Sequence, residues 1–425
     1  MSNMTMNRSY RVGLMALAVV CLSSLPVDVK AETHEASTAV ASGASASEAV
    51  TPHEFKHPGI AHSDADIQRV KEKVAEGAEP WVAAWQQLTE SSYFSLRWEP
   101  QPLANVERGA SNRPDIGSTD FSQDARAAYT HALAWALSEE EAHARKASEI
   151  IDAWSTTLRS IENHDAKLLV GMAGHLFCNA AELLKHTWDG WPEQNQERFR
   201  SMVYDIWYPI IHDYYPSANG NWDASMLQTM IAMGVYFEDE QMFNSAVDYF
   251  RSGKGNGAIG NYFNEFGECQ ETGRDQAHTQ MGLEFLANTA ETAWNQGLDL
   301  YGELDNRLLA GFEYTAKYNL GFEVRYEPYR SFEGRYHYKR ISDDSRGRLR
   351  PMYETVYRHY FVRQKLEAPY THQALLKIRE NELHTVGERD GRESDRRDDR
   401  RRRSGGRRRN GGGASLLWNT LMYAS

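Results

Sequence analysis

The stretch ECQETGRDQAHTQMG, residues 268–282, sets Glu268, Glu271, Arg274, Asp275, Gln276 and His278 within little more than two helical turns. Such a cluster is either the solvated entrance of a helix or the polar wall of a site that handles charged substrate. Downstream, Glu284, Asn288, Glu291 and Asn295 recur at helical spacing and read as the solvent side of the helix. At about 100° per residue, His278 is turned roughly 120° away from that stripe, and Glu271 shares its side if the preceding turn is helical. Inward-facing polar groups need partners or a function, although a lone histidine at a helix entrance is more often a satisfied structural group. A second candidate is SANGNWDASML, residues 217–227. Asn219 with Gly220 is a turn signal and Asp223 or Asn221 can cap the next helix, but Trp222 beside a turn amide is also a platform for a sugar ring. The third is a loop carrying Arg325, Tyr326, Tyr329, Arg330, Arg335, Tyr336, Tyr338, Lys339 and Arg340, whose aromatic density is unlike a plain solvated face.

Together these segments offer an amide, an imidazole, a phenol and a guanidinium, the set needed for β-elimination of a uronic-acid polymer. The C5 proton of a uronate is weakly acidic, because its removal adds negative charge beside a carboxylate. An enzyme must neutralise that carboxylate with Asn, Arg or protonated His and stabilise an enolate-like intermediate. It then needs a base at C5 and an acid at the C4 oxygen, roles open to His and Tyr. No metal or organic cofactor is required.

Helices must position these groups. Apolar residues at helical spacing predict helices over 66–76, 80–91, 123–138, 140–159, 165–187, 193–214, 222–237, 240–252, 276–297, 304–319, 351–363 and 370–380, with Ser63 or Asp64 capping the first. Several, such as ASMLQTMIAMGVYF, are apolar on more than one face, which suits helices buried between neighbours. Paired helices continuing for this length, with no fixed-period repeat, predict an all-α fold: an (α/α) toroid of helical hairpins around a central tunnel or cleft. Residues 321–350 change style to a long ordered loop or short hairpin, a common place for function.

The ends differ in kind. Residues 1–31 have a basic start, a short apolar run and a small-residue exit, the grammar of an export signal, so the expectation is a periplasmic or secreted protein with no membrane insertion. Residues 32–52 read as a disordered linker, 53–383 as the toroid domain, 384–413 as a low-complexity Arg, Asp and Gly-rich segment, and 414–425 as a core-like piece docking back as a short strand. The formal net charge is −12. Because Glu388–Gly413 carries 11 Arg against 6 Asp plus Glu, a net of +5, everything else sums to −17. That balance argues against nucleic-acid binding by the body, while a local basic cluster can still hold an anionic polymer. After the first 31 residues only Cys178 and Cys269 remain, too few for a disulfide framework and without zinc-site spacing.

Four stretches carry a family likeness: HPGIAHSDADIQRVKEKVAEGAEPWVAAWQQL, NGNWDASMLQTMIAMGVYFED, GECQETGRDQAHTQMGLEFLANTAETAWNQG and GRYHYKRISDDSRGRLRPMYETVYRHY. They resemble the alginate-lyase-like polysaccharide lyases, specifically the alginate and glucuronan branch of polysaccharide lyase family 38 type, from about His57 to His372. The resemblance implies that Asn221 of the GNW motif neutralises the substrate carboxylate. It implies that His278 is the base for one C5 epimer or a partner in neutralisation. Tyr336, with Tyr338 as the runner-up, is implied as the acid and, for the other epimer, also the base. Arg330 is implied as holding the carboxylate or keeping Tyr336 partly ionised, and Trp222, Glu271, Arg274, Gln276 and Tyr338 as lining subsites. The expected partner is an anionic uronate polysaccharide, with C4=C5 unsaturated oligosaccharides as products and no cofactor. The competing expectations are an (α/α)-toroid glycoside hydrolase using Glu271 and Asp275 as two carboxylates, and a periplasmic glycan-binding protein.

Overall fold

A computed structural model describes residues 54–110, 115–380 and 418–425 of the chain. The first helix, α1 (Asp64–Ala75), starts as its sequence dictates: the Ser63 hydroxyl accepts from the Asp66 amide and the Asp66 carboxylate accepts from the Ser63 amide, a capping box. There follow α2 (Trp81–Glu90), strands β1 (Asn105–Arg108) and β2 (Asp115–Ile116), α3 (Ser118–Ser138), α4 (Glu141–Thr157), β3 (Ser160–Glu162) and α5 (Ala166–Thr187). Next come α6 (Glu193–Met202), a π-turned continuation through Trp207, α7 (Tyr208–Ile211), α8 (Gly220–Tyr236), α9 (Glu240–Ser252) and α10 (Ile259–Tyr262). After α11 (Gln276–Asn295) and α12 (Glu303–Asn319), a two-stranded hairpin pairs β4 (Tyr329–Arg330) with β5 (His337–Tyr338) in antiparallel register. Helix α13 (Tyr353–Tyr357) runs on through Arg363, residues 369–380 form α14, and α15 is Trp418–Tyr423.

Helices α3, α5, α8 and α11 pack successively side by side, while α4, α9 and α12 lie against α3, α8 and α11 respectively. The ring closes through α13, α15 and α1 back to α3. This is the all-α ring of helical hairpins that the apolar patterning predicts. Every residue of α8 except Trp222 is buried, as its all-round apolar composition requires. Close approach makes that possible: a Cβ on Gly171 of α5 would sit 2.5 Å from the Ser225 Oγ of α8. The polar atoms inside this interface are matched, with the Gln228 amide donating to the Gly171 carbonyl at 2.9 Å and accepting from Asn288 of α11 at 2.9 Å. A small sheet, β2-β1-β3, falls outside the helical expectation and borders the start of α5. Cys178 and Cys269 are both free and buried. Among the described residues no helix is long and apolar enough to cross a membrane.

Two expectations are corrected. The stripe Glu284, Asn288, Glu291 and Asn295 does not face solvent: Glu284 and Glu291 are buried. Glu284 takes Arg350 at 2.9 Å, Glu291 takes both Nη atoms of Arg363 at 2.9 and 2.8 Å, and Asn295 donates to the Ile60 carbonyl at 2.9 Å. The stripe is polar because the segments that cover it bring arginines and carbonyls. The C-terminal piece is a helix, α15, rather than a strand. Its Trp418, Leu421 and Met422 are buried at helical spacing, and Trp418 meets Tyr129 edge-on at 4.8 Å. The Arg69 guanidinium caps it by donating to the Met422 and Ala424 carbonyls at 2.6 and 3.2 Å. Residues 1–53 and 381–417, which include the signal, the linker and the Arg-rich segment, lie outside the described residues.

Because α15 closes the ring, Trp418→Ala should lower unfolding stability by about 3–5 kcal/mol, the usual cost of emptying a buried aromatic site. A denaturant midpoint unchanged from the parent would contradict this seat for α15.

Candidate active site

The site is built where the N-terminus of α8 meets the turn before α11. Asn219 is the N-cap of α8, yet its side chain makes no capping bond. The first amides of the helix are satisfied from outside: Gly220 N–H donates to Gln270 Oε1 at 3.0 Å and Asn221 N–H to Glu271 Oε2 at 2.8 Å. The Glu271 carboxylate also accepts from the Tyr262 hydroxyl at 3.0 Å and from Arg274 Nη1 at 2.7 Å. It is completely buried, and burial raises its pKa against the pull of Arg274 and His278.

Arg274 joins this carboxylate to the histidine, its Nη2 lying 3.0 Å from His278 Nε2. On the other side of the ring, Nδ1 is 2.7 Å from Asp275 Oδ2. A carboxylate accepts and a guanidinium donates, so these partners assign the tautomer: Nδ1 carries the proton and Nε2 presents its lone pair. Asp275 also caps α11 by accepting from the His278 amide at 2.7 Å. Burial acts to raise Asp275, but the His278 ring and amide, with Arg274, outweigh it and hold the carboxyl below its ordinary range.

The hairpin supplies the phenol. Tyr338 on β5 brings its hydroxyl 3.3 Å from Asn219 Oδ1, which also accepts from Gln270 Nε2 at 3.0 Å. Burial pushes the Tyr338 phenol up to about 12, with Arg274 pulling it down, Glu271 pushing it up and the Asn219 bond lowering it. Gly273 allows this approach: a Cβ there would lie 2.3 Å from Tyr338 Cβ and 2.8 Å from the Arg340 carbonyl. The loop is tied down by the Ser342 amide donating to the Thr272 carbonyl at 3.1 Å and by the Glu327 amide donating to Glu268 at 2.8 Å.

Between these walls lies Asn221, 1 % exposed, whose amide Oδ1 and Nδ2 both lack a hydrogen-bond partner. A buried primary amide in that state is costly unless something else occupies it. Beside it Trp222 is half-buried, with the rings of Tyr215 and His164 edge-on at 5.4 and 5.5 Å.

The structure therefore brings Asn221, His278, Arg274, Glu271 and Tyr338 together, with Trp222 alongside. Two of the expected residues stand otherwise. Arg330 is exposed and lies along Gly334, so the guanidinium in the cluster is that of Arg274. The Tyr336 ring is stacked at 6.3 Å from that of Tyr338, with the Arg335 guanidinium 5.4 Å over it. The Gln276 amide is engaged within the fold, donating to the Thr272 and Ser342 carbonyls at 3.1 and 3.0 Å and accepting from Asn319 at 3.0 Å. Glu271 is likewise spent on holding α8 and Arg274. Reasoning from sequence set Asn219 aside as a turn residue and passed over Gln270 and Tyr262. The D-x-x-H spacing of Asp275 and His278 was the available signal for the oriented imidazole.

A family model described as "Alginate lyase" matches residues 71–323, more than half of the chain. The chain belongs to the alginate lyase family. Two solved structures share the lyase fold. An alginate lyase from Bacteroides ovatus superposes with a TM-score of 0.57 at 13% identity, covering 75% of this chain and 95% of that one. Alginate lyase A1-III from Sphingomonas species A1 gives 0.52 at 13% identity, covering 71% and 90%. No curated protein sequence matches the chain. As a family member the protein is a polysaccharide lyase.

Two outcomes test this geometry. Gly273→Ala should displace β5 and remove most of the lyase turnover while the helical circular dichroism is retained; full turnover would contradict the tight seat of Tyr338. Burial pushes the Glu268 carboxyl from an ordinary 4.5 up to about 7. Between those values the folded chain keeps a proton that the unfolded chain has released, so Glu268 makes stability fall as pH rises through that window. The wild-type stability should therefore decline relative to Glu268→Gln from about pH 4.5 to 7; parallel pH profiles would contradict it.

Proposed function

We propose that the lyase cleaves alginate by β-elimination at the Asn221, His278 and Tyr338 cluster, releasing oligosaccharides with a C4=C5 double bond. The observation that carries this reading is the partnerless buried amide of Asn221, whose backbone N–H rests on the same Glu271 carboxylate that holds Arg274. A uronate carboxylate oxygen accepts from the Asn221 Nδ2, a sugar hydroxyl donates to its Oδ1, and Arg274 neutralises the carboxylate charge. That neutralisation is what makes the C5 proton removable.

His278, held by Asp275 with its Nε2 lone pair outward, is the base for C5 when Arg274 turns onto the substrate. Tyr338 gives its proton to the C4 oxygen as that bond breaks. For the opposite C5 epimer Tyr338 would act as base only after losing its own proton to solvent, with Arg274 stabilising the phenolate, and the proton it then takes from C5 passes to the C4 oxygen. These roles move the acid from Tyr336 to Tyr338 and the guanidinium from Arg330 to Arg274, because only the latter of each pair adjoins Asn221's neighbours. Trp222, with Tyr215 and His164, forms a sugar platform next to the reacting residue. Glucuronan, which presents the same carboxylate at C5, is a further substrate of the same chemistry, as expected of the alginate and glucuronan branch. Export under the signal-like residues 1–31 suits an enzyme whose polymer lies outside the cell.

A hydrolytic mechanism on Glu271 and Asp275 finds no support. Glu271 is buried under three donors, and Asp275 is engaged with the amide and ring of His278. Neither carboxylate is free to protonate a leaving group or activate water.

Incubation with alginate, glucuronan and a neutral glucan, followed by ultraviolet absorbance and reducing-end assay, tests the reading. Alginate should yield absorbing products. Tyr338→Phe should lower kcat by about 10²–10⁴-fold, the usual share of general acid–base catalysis, while Tyr336→Phe stays near the parent. Reducing ends without new absorbance, or loss on Tyr336→Phe alone, would overturn it.

A further inference from the structure

At the far end of α8 lies a second cluster that the lyase chemistry does not use. Glu182 and His186 are one turn apart on α5, and His57 from the N-terminal stretch stacks on His186 with ring centroids 4.1 Å apart and planes within 6°. One ligand atom from each of these three residues lies within 4.8 Å of the others. Glu182 Oε1 is engaged, 2.8 Å from His57 Nδ1 and accepting from the Gly59 amide at 3.1 Å. Glu182 Oε2 has no hydrogen-bond partner on a side chain that is 1 % exposed, and it faces His186 Nε2 at 3.6 Å. His57 Nε2 and His186 Nε2 are also buried without hydrogen-bond partners, and the carboxylate of Glu238, just past α8, stands 3.6 Å from His57 Nε2.

We propose that His57, Glu182 and His186, with Glu238 as an outer fourth ligand, bind a divalent transition-metal ion of the zinc class. Two imidazoles and a carboxylate are a common zinc donor set. Ligand atoms on a tetrahedral zinc at about 2.0–2.2 Å stand near 3.5 Å from one another, and two of the separations here are 3.6 Å. The Gly59 amide orients the Glu182 carboxylate from behind, as outer-shell donors do for metal ligands. Glu238 is in the left-handed region at φ 54°, at the position after α8 where glycine is favoured. The glutamate there holds its carboxylate 3.6 Å from His57 Nε2.

The ion is a structural clip. It joins the N-terminal stretch to the last turns of α5 and to the residue after α8, and so fastens the chain where it enters the ring. The seventeen residue steps from Asn221 to Glu238 put the clip about 25 Å from the Asn221 amide at 1.5 Å per residue. Lyase turnover at moderate temperature is therefore indifferent to the metal, and thermal stability is not.

The purified protein is stripped with a chelator, dialysed against zinc chloride and then against metal-free buffer, and its zinc measured by elemental analysis beside its thermal midpoint. About one zinc per chain should be retained, with a raised midpoint that a chelator reverses. The His57→Ala/His186→Ala variant should retain none, and Glu238→Gln should bind about tenfold more weakly. If the double variant does not fold, cobalt is loaded into the wild type, where the intense visible bands of a four- or five-coordinate site with nitrogen ligands are expected. Retention of less than a tenth of an equivalent, unchanged zinc in a folded double variant, or a weak octahedral cobalt spectrum would overturn the proposal.

Discussion

The buried carboxylate of Glu271 is the interaction on which the active end of the ring depends. A charge without exposure is tolerated only where every lone pair is used, and this one is used by three elements at once. It takes the Asn221 amide at the start of α8, the Tyr262 hydroxyl at the end of α10 and the Arg274 guanidinium in the turn before α11. Each of those partners is a member of the site or holds one. The partnerless amide of Asn221 projects from the same residue whose backbone Glu271 fixes, and the guanidinium that Glu271 orders is the one touching His278. Placement of the reactive groups and closure of the helix terminus are thus a single electrostatic arrangement, which is why the site sits at helix ends inside a ring rather than on a free loop.

The arrangement also sets the chemistry at rest. A phenol held near 12 does not ionise at neutral pH, so Tyr338 begins as an acid. His278 Nε2 rests covered by Arg274 at 3.0 Å. On the proposed mechanism an entering carboxylate would compete for that guanidinium, which would both neutralise the substrate and uncover the base. Binding and activation would then be coupled through one side chain, since a neutral sugar lacks the charge to draw Arg274 away.

Much of this was legible in the sequence. Long helices such as α5, α8, α9 and α11 announce themselves through apolar spacing because their burial follows local periodicity. Asn221, His278 and Arg274 stood out because polar groups crowd there against an apolar background. What was hidden depends on partners distant in sequence. Glu284 and Glu291 look like a solvent stripe until Arg350 and Arg363 cover them. Gln276 looks like a subsite until Asn319 and Ser342 consume its amide. The difference between Tyr336 and Tyr338 is a matter of hairpin register, and a two-residue slip along a strand returns to the same face, so composition alone does not choose between them. The close approach at Gly273 sets Tyr338, rather than Tyr336, against the turn before α11. Residues 414–425 read as a strand because a short apolar run has no period of its own until a groove receives it.

The central claim is that Asn221 and Arg274 receive the uronate carboxylate while Tyr338 faces the C4 oxygen. A crystal structure of Tyr338→Phe with an alginate tetrasaccharide tests it most directly. The account predicts the carboxylate within hydrogen-bond distance of the Asn221 amide, with Arg274 moved from His278 toward it and the phenyl ring beside the scissile oxygen. A carboxylate held instead by Arg330 and Tyr336, with Asn221 still without a partner, would contradict it.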